Sequence, residues 1–214
     1  MSWWNRLFYL LTRGFFAVLL KIYNRITVRW TEALPDRNVI LIANHCSNLD
    51  PIILGSFFPR QLRYLAKSEL FESKLFGAVI RALGAVPVEK QDSQSAGAAL
   101  RGFLKLLEDG SDVLLFPEGG RSSDGTLQPL EGGAALIAMK SGAPVLPASI
   151  SGTFEAMPMG SSVVRPARIS VVFGRIIDPA DYAALGRSGR EKLLEAMQGA
   201  LADLEREHAS GRGS

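Results

Sequence analysis

The sequence predicts an α/β fold, a single layered domain with a mixed, mostly parallel sheet flanked by helices. Short runs rich in Val, Ile and Leu alternate along the chain with longer segments of helical periodicity, an order typical of layered α/β domains. The length of 214 residues and the apolar share of 47% suit one such domain. One cysteine, two histidines and a net charge of +3 argue against a disulfide framework, a metal centre and a nucleic-acid partner.

The predicted elements are separated by turn and capping signals. Asp50-Pro51 opens one helix and Ser73 caps the next, while glycines end two others. The last helix is predicted to begin with a capping box formed by Ser188 and Glu191. The predicted strands are 26–30, 38–43, 61–66, 85–88, 112–116, 144–150 and 168–173, and the predicted helices are 50–57, 73–84, 92–108, 133–141 and 189–207.

Residues 1–25 form a separate N-terminal helix in this prediction, followed by the main domain at 26–208 and a frayed tail at 209–214, with His208 beside the tail expected in solvent. At most seven successive residues of the apolar segment 3–25 lack a formal charge, far below the roughly 20 that a spanning helix needs. Its polar residues, with Ala17 continuing the row, recur every three or four positions and form one narrow stripe on a helix about 33 Å long. We expect the helix to lie in a membrane interface, which two adjacent tryptophans favour; the alternative is a helix packed on the domain. The stripe comprises Asn5, Arg6, Tyr9, Thr12, Arg13, Lys21, Asn24 and Arg25.

The first candidate site follows the strand at 38–43. His45 and Asp50 are five residues apart, so they cannot share a face of a regular helix, but a turn can bring the carboxylate to the imidazole. Such a pair fixes the imidazole tautomer and stabilises its charged form, which suits a general base. The alternative for Asp50 is a helix N-cap before Pro51. Cys46 is either a nucleophile or a small buried side chain.

The second candidate site follows the strand at 112–116. The paired glycines Gly119 and Gly120 let backbone N–H groups converge on an anion, and Arg121 offers two parallel donors for a phosphate. Lys90 adds a cation near the end of the strand at 85–88. Taken alone, each segment is equally compatible with a solvated turn or a surface lysine.

Together and in order, these segments resemble the glycerolipid acyltransferase family, whose lysophosphatidic acid acyltransferases form phosphatidic acid. Asn44, His45 and Asp50 match its Asn-His-x4-Asp motif, and residues 116–122 match its Phe-Pro-Glu-Gly-Thr-Arg-Ser motif except that Gly120 replaces the threonine. Lys90 stands where the second motif usually ends in arginine, and Pro147 matches the fourth motif. The resemblance covers roughly residues 26–173.

The resemblance implies an O-acyltransferase that moves a fatty acyl group from an acyl thioester, acyl-CoA or acyl carrier protein, to the hydroxyl of a lyso-glycerolipid, most simply 1-acylglycerol-3-phosphate. It implies His45 as base and Asp50 as its partner, with no metal or other cofactor. It also implies an enzyme on membrane lipids at the cytoplasmic face of the cell membrane. The implied substrate-binding residues are Asn44, Lys90, Glu118, Gly119, Gly120, Arg121 and Ser122.

Three further functions stay open at this point. In the first, the acceptor is another lyso-lipid, because lysine and glycine replace two residues that would bind a phosphate. In the second, the His45-Asp50 pair serves a thioester or lipid hydrolase that uses water or Cys46. In the third, the protein binds lipid without catalysis, so that the N-terminal helix matters and His45 does not.

Overall fold

The computed structural model describes residues 3–88 and 92–211, and within them seven strands form one sheet. The strands are β1 (Thr27–Trp30), β2 (Ile40–Ala43), β3 (Leu62–Lys67), β4 (Ala85–Val88), β5 (Asp112–Leu115), β6 (Val145–Ser151) and β7 (Ser170–Phe173). Their order is β1-β7-β6-β2-β5-β3-β4, and every pair is parallel except β6 with β7. The predicted mixed, mostly parallel sheet is therefore confirmed.

Helices cover both faces of this sheet. Strand β2 shows why: Leu41 and Ala43 belong to the core on one face, and Ile40 and Ile42 to the core on the other, as expected for a strand buried on both sides. The helices are α1 (Trp3–Tyr23), α2 (Asp50–Phe57), α3 (Lys74–Ala82), α4 (Asp92–Glu108), α5 (Gly133–Ser141), α6 (Thr153–Ala156), α7 (Ala180–Ala183) and α8 (Arg187–Gly211). The first core includes residues of α1, α2 and α3, and the second includes residues of α4, α5 and α8.

The end of the chain differs most from the sequence prediction. Helix α8 begins before Ser188, whose hydroxyl donates to the Leu185 carbonyl, so the predicted capping box is wrong. The helix also continues to Gly211, into the segment predicted to be frayed. His208 is buried against β6, with Nε2 3.2 Å from the Ser149 carbonyl and Nδ1 3.0 Å from Ser151 Oγ. The prediction of a solvated His208 is therefore wrong.

Helix α1 packs on the domain with part of its polar stripe inward. Tyr9 and Asn24 are buried, and Arg13 donates to the carbonyls of Ser56 and Pro59 at the end of α2. The opposite face is apolar and exposed. In the described part of the chain, no helix combines the length and apolarity needed to cross a membrane. The exposed apolar side chains of α1 are Trp3, Trp4, Leu7, Phe8, Leu10, Leu11, Phe15, Val18, Leu19, Ile22 and Tyr23.

Both candidate sites lie at one edge of the sheet. Strands β2 and β5 are parallel neighbours, with Ile42 opposite Leu115, so the loops that follow them leave the sheet side by side. Ligands of open α/β sheets bind in the crevice outside the carboxyl ends of parallel strands. The fold therefore brings the His45 turn and the 116–122 loop together.

Candidate active site

His45 and Asp50 form the predicted pair. His45 Nδ1 lies 2.8 Å from Asp50 Oδ2, with the Asp50 side chain fully buried and the His45 side chain 16% exposed. A carboxylate oxygen only accepts hydrogen bonds, so the contact holds the proton of a neutral imidazole on Nδ1. The lone pair is then on Nε2, which makes that nitrogen the one able to take a proton from a substrate.

Asp50 is fixed by the turn that precedes it. The backbone N–H groups of Cys46 and Ser47 each donate to Asp50 Oδ2 at 2.8 Å, the same oxygen that faces His45. Asp50 Oδ1 is buried without a hydrogen-bond partner among the described residues. Helix α2 begins at Asp50 itself, Leu49 occupies the cap position, and no side chain caps the helix. The N-cap alternative for Asp50 is therefore wrong, because its carboxylate is directed back into the turn.

The 116–122 loop holds the backbone of His45 on both sides. The His45 N–H donates to Glu118 Oε1 at 2.6 Å, and the Ser122 N–H donates to the His45 carbonyl at 2.7 Å. The ring of Phe116 stacks on the imidazole with 3.9 Å between centroids and 16° between planes. Backbone position and ring plane are thus both set before a substrate binds. Phe116 belongs to the matched motif 116–122, but no role in the site was predicted for it from the sequence.

Glu118 acts on the protein rather than facing an open site. Its Oε1 accepts from His45 and its Oε2 accepts the Gln128 N–H at 2.7 Å. Burial raises the pKa of the Glu118 carboxyl, and these two backbone hydrogen bonds oppose that shift. The contacts make Glu118 a brace between the His45 turn and residue 128, a contact that the spacing of the sequence did not reveal.

The remaining residues of the 116–122 loop are of two kinds: some are held by contacts within the protein, and others are left to bind a ligand. Gly119 has a φ of 72°, a left-handed backbone conformation in which a residue with a Cβ is strained. Its N–H donates to the Phe116 carbonyl at 3.2 Å. Ser122 is buried and its hydroxyl donates to Asp124. Within the described chain, the Gly120 N–H has no acceptor and Arg121 forms no ion pair, so these two groups remain available for a ligand.

Asn44 joins the two strands behind the site. Its Oδ1 accepts the Ile150 N–H at 2.8 Å, and its Nδ2 donates to the Ile150 carbonyl at 2.9 Å. The side chain therefore ties the end of β2 to β6 through both of its polar atoms. Lys90, the other predicted substrate-binding residue, lies outside the described residues, as do its immediate neighbours.

Cys46 is buried beside this pair. Burial, reinforced by the nearby Asp50 and Glu118 carboxylates, raises the pKa of the thiol to about 12. Only the thiolate is a strong nucleophile, and the thiol is protonated at neutral pH. The local environment therefore favours the small buried side chain over the nucleophile.

Comparisons with known proteins indicate the family of this chain. The model of the family described as Acyltransferase matches residues 25–151. A 1-acyl-sn-glycerol-3-phosphate acyltransferase of Bacillus subtilis is 30% identical over 87% of this chain and 88% of its own. A chloroplastic 1-acyl-sn-glycerol-3-phosphate acyltransferase of Arabidopsis thaliana is 30% identical over 82% of this chain. The chain spans only 50% of that plant relative and of a similar one from Brassica napus.

The fold is shared with a protein of known structure. The crystal structure of the 1-acyl-sn-glycerophosphate acyltransferase PlsC from Thermotoga maritima superposes with a TM-score of 0.76 at 28% identity. The match covers 92% of this chain and 78% of the other. Because the family model also matches more than half of its residues, this chain belongs to the acyltransferase family.

Proposed function

We propose that the protein transfers a fatty acyl group from an acyl thioester to the free hydroxyl of 1-acylglycerol-3-phosphate. The observation that carries the proposal is the His45-Asp50 pair, held by the same 116–122 loop that contains the uncommitted Gly120 and Arg121. His45 Nε2 takes the proton of the acceptor hydroxyl while the oxygen of that hydroxyl attacks the thioester carbonyl. The C–S bond of the thioester then breaks and releases the thiolate. Asp50 stabilises the imidazolium formed in this step.

The size of each contribution is consistent with this mechanism. A positioned general base supplies roughly 10²- to 10⁴-fold, and a donor to the developing oxyanion adds about 3 kcal/mol. The Gly120 N–H is our candidate for that donor, since the Gly119 N–H is used within the turn. The thioester is already activated, so no acyl-enzyme is required.

The acceptor class follows from the cationic groups. Arg121 directly precedes Ser122, whose N–H donates to the His45 carbonyl, so the backbone of Arg121 lies next to the turn that carries the base. We assign it, with Lys90, to the acceptor phosphate. The decisive assay incubates the purified protein with acyl-CoA or acyl carrier protein and a panel of lyso-lipids, and identifies products by mass spectrometry. Formation of phosphatidic acid supports the proposal, and thioester loss without an acylated lipid would contradict it.

Replacing Arg121 with alanine is expected to raise the KM for the lyso-phosphatidate acceptor about tenfold, because a charge-assisted contact to the phosphate is lost. The KM for the thioester should change less than twofold. Arg101→Ala, at an exposed position of α4, is the matched control. An equal rise in both KM values for Arg121→Ala would remove Arg121 from the acceptor site.

Replacing Cys46 with alanine is expected to leave kcat within about twofold of the wild type. The reason is the protonated state of the buried thiol. The measurement is the rate of acylated lipid formation, with thermal unfolding as a check on the fold. A folded Cys46→Ala protein without activity would instead favour the hydrolase or a covalent mechanism.

We also propose that α1 lies in a membrane interface, its polar contacts facing the domain and its exposed face among the lipids. In the usual amphipathic helix of a globular protein the apolar stripe faces the core; here the widest apolar face points outward. Adjacent tryptophans and basic side chains suit the interface. A cytoplasmic location is the simplest one for an enzyme that draws on acyl-CoA or acyl carrier protein.

Substituting glutamate for Leu11, Phe15 and Val18 together is expected to weaken vesicle binding at least 100-fold. Each of these apolar side chains is about 60% exposed, and the substitution removes its contact with the lipid. Deleting the helix is a poorer test, because Tyr9 and Leu20 are buried in the domain. The measurement is sedimentation with vesicles, with the melting temperature expected to stay unchanged. Full sedimentation of the folded variant would contradict the interfacial placement.

A further inference from the structure

The loop of residues 158–168 connects the end of α1 to the active-site turn. Ser47 Oγ donates to the Met157 carbonyl at 2.7 Å, just before the loop. Tyr23 and Asn24, at the end of α1, donate to the carbonyls of Val164 and Arg165 at 3.2 and 3.0 Å. These side chains hold the 158–168 loop between the N-terminal helix and the turn that carries His45.

The 158–168 loop exposes apolar side chains to solvent, although the adjacent Val164 packs against the core. Val163 is 64% exposed and Met159 is 46% exposed, whereas Val164 packs against the core. Arg165 and Arg168 are exposed within the same segment. No acidic residue occurs between 158 and 168, so the outer surface of the loop is both apolar and cationic.

This surface continues the exposed end of α1. Ile22 is 76% exposed and Tyr23 is 44% exposed, and Tyr23 is itself bonded to the loop. Lys21 and Arg25 are exposed beside them. Within the described residues, neither Lys21 and Arg25 nor the two loop arginines form an ion pair. A surface that combines exposed apolar side chains with unpaired cations complements a bilayer that contains anionic lipid.

We propose that the 158–168 loop is a second membrane-contacting element, which holds the turn that carries His45 close to the surface of an anionic bilayer. The proposal rests on the interfacial placement of α1 in the proposed function. Met159 and Val163 enter the interface, and Arg165 and Arg168 contact lipid phosphates. Because Ser47 Oγ donates to the Met157 carbonyl just before the loop, contact of the loop with lipid also keeps the active-site turn near the bilayer.

The test compares two double variants of the full chain by vesicle sedimentation. Met159→Glu with Val163→Glu should bind at least tenfold more weakly to vesicles of phosphatidylcholine with phosphatidylglycerol. Arg165→Ala with Arg168→Ala should bind the same vesicles about 25-fold more weakly, at about fivefold per charge, and this loss should disappear at high salt. Leu185→Glu, an exposed leucine at 42% between α7 and α8, is the matched control and should bind like the wild type.

Activity assays separate this inference from the proposed function. With a short-chain lyso-phosphatidate dissolved as monomers, both double variants should keep the kcat/KM of the wild type, and with vesicle-bound acceptor both should lose activity in proportion to binding. Vesicle binding equal to the wild type in both folded double variants would overturn the inference. A change in oligomeric state without a change in vesicle binding would overturn it as well, since it would assign the surface to a protein contact. Lack of transfer to any acceptor by the wild type would refute the proposed function, while the binding assay would still decide the role of the loop.

Discussion

Replacing His45 with alanine is expected to lower kcat for acyl transfer by about 10³- to 10⁴-fold without unfolding the protein. The variant removes the group that we propose takes the acceptor proton on Nε2, and general bases contribute on this scale. His45 lies in the turn after β2 and belongs to neither hydrophobic core, so its loss leaves no large cavity in either core. The rate of acylated lipid formation measures the effect, and circular dichroism with thermal unfolding measures the fold.

The control for this variant is the same change at the other histidine. His208 contacts Ser149 and Ser151 rather than the carboxylate of Asp50. His208→Ala should therefore keep kcat within a few fold, whatever it costs in stability. Comparable losses at both positions would show that structural damage, and not removal of a base, lowers the rate.

Replacing Asp50 with alanine is expected to lower kcat by about 10³-fold, because the imidazole loses the acceptor that fixes its tautomer and the charge that stabilises its protonated form. Asp50→Asn should be milder, at about 10- to 100-fold. The amide oxygen can take the place of Oδ2 and keep the contacts with His45, Cys46 and Ser47, while the amide nitrogen takes the unpartnered Oδ1 position. That variant loses the strength of a charged hydrogen bond and buries the amide N–H donors without a partner among the described residues.

The two Asp50 variants need a stability control in the same helix. Ser56→Ala removes a hydrogen bond from Ser56 Oγ to the Ile52 carbonyl within α2 and leaves the turn at 44–50 untouched. Its kcat should equal that of the wild type. If Asp50→Ala and Asp50→Asn gave identical rates close to the wild type, Asp50 would hold the turn together without acting on His45.

The order of elements was predictable because each depends on local signals. Buried runs such as Ile40–Ala43 leave little choice of secondary structure, and the cap at Ser73 forms as expected, with its side chain accepting the Phe76 N–H. The pairing of His45 with Asp50 was predictable because only a turn can join them over four intervening residues. The register of the parallel strands β2 and β5 then brings the loops that follow them together.

Contacts between distant segments were beyond local signals. Nothing near Glu118 in the chain indicates that it holds the backbone of His45, 73 residues away. The same is true of Arg60, whose guanidinium donates to both oxygens of Asp112 at 2.7 Å. The burial of His208 was recoverable, because Leu193, Met197, Leu201 and Leu204 lead to it at helical spacing on the face packed against the core.

The most direct test of the account is the position of the proton on His45. The chain has only two histidines, so ring-labelled ¹⁵N-histidine gives two sets of NMR signals, and His208→Gln assigns them. The structure predicts that neutral His45 carries its proton on Nδ1 and that Asp50→Ala allows the other tautomer. A neutral His45 protonated on Nε2 in the folded wild type would contradict the assignment of this ring as the base that activates the acceptor.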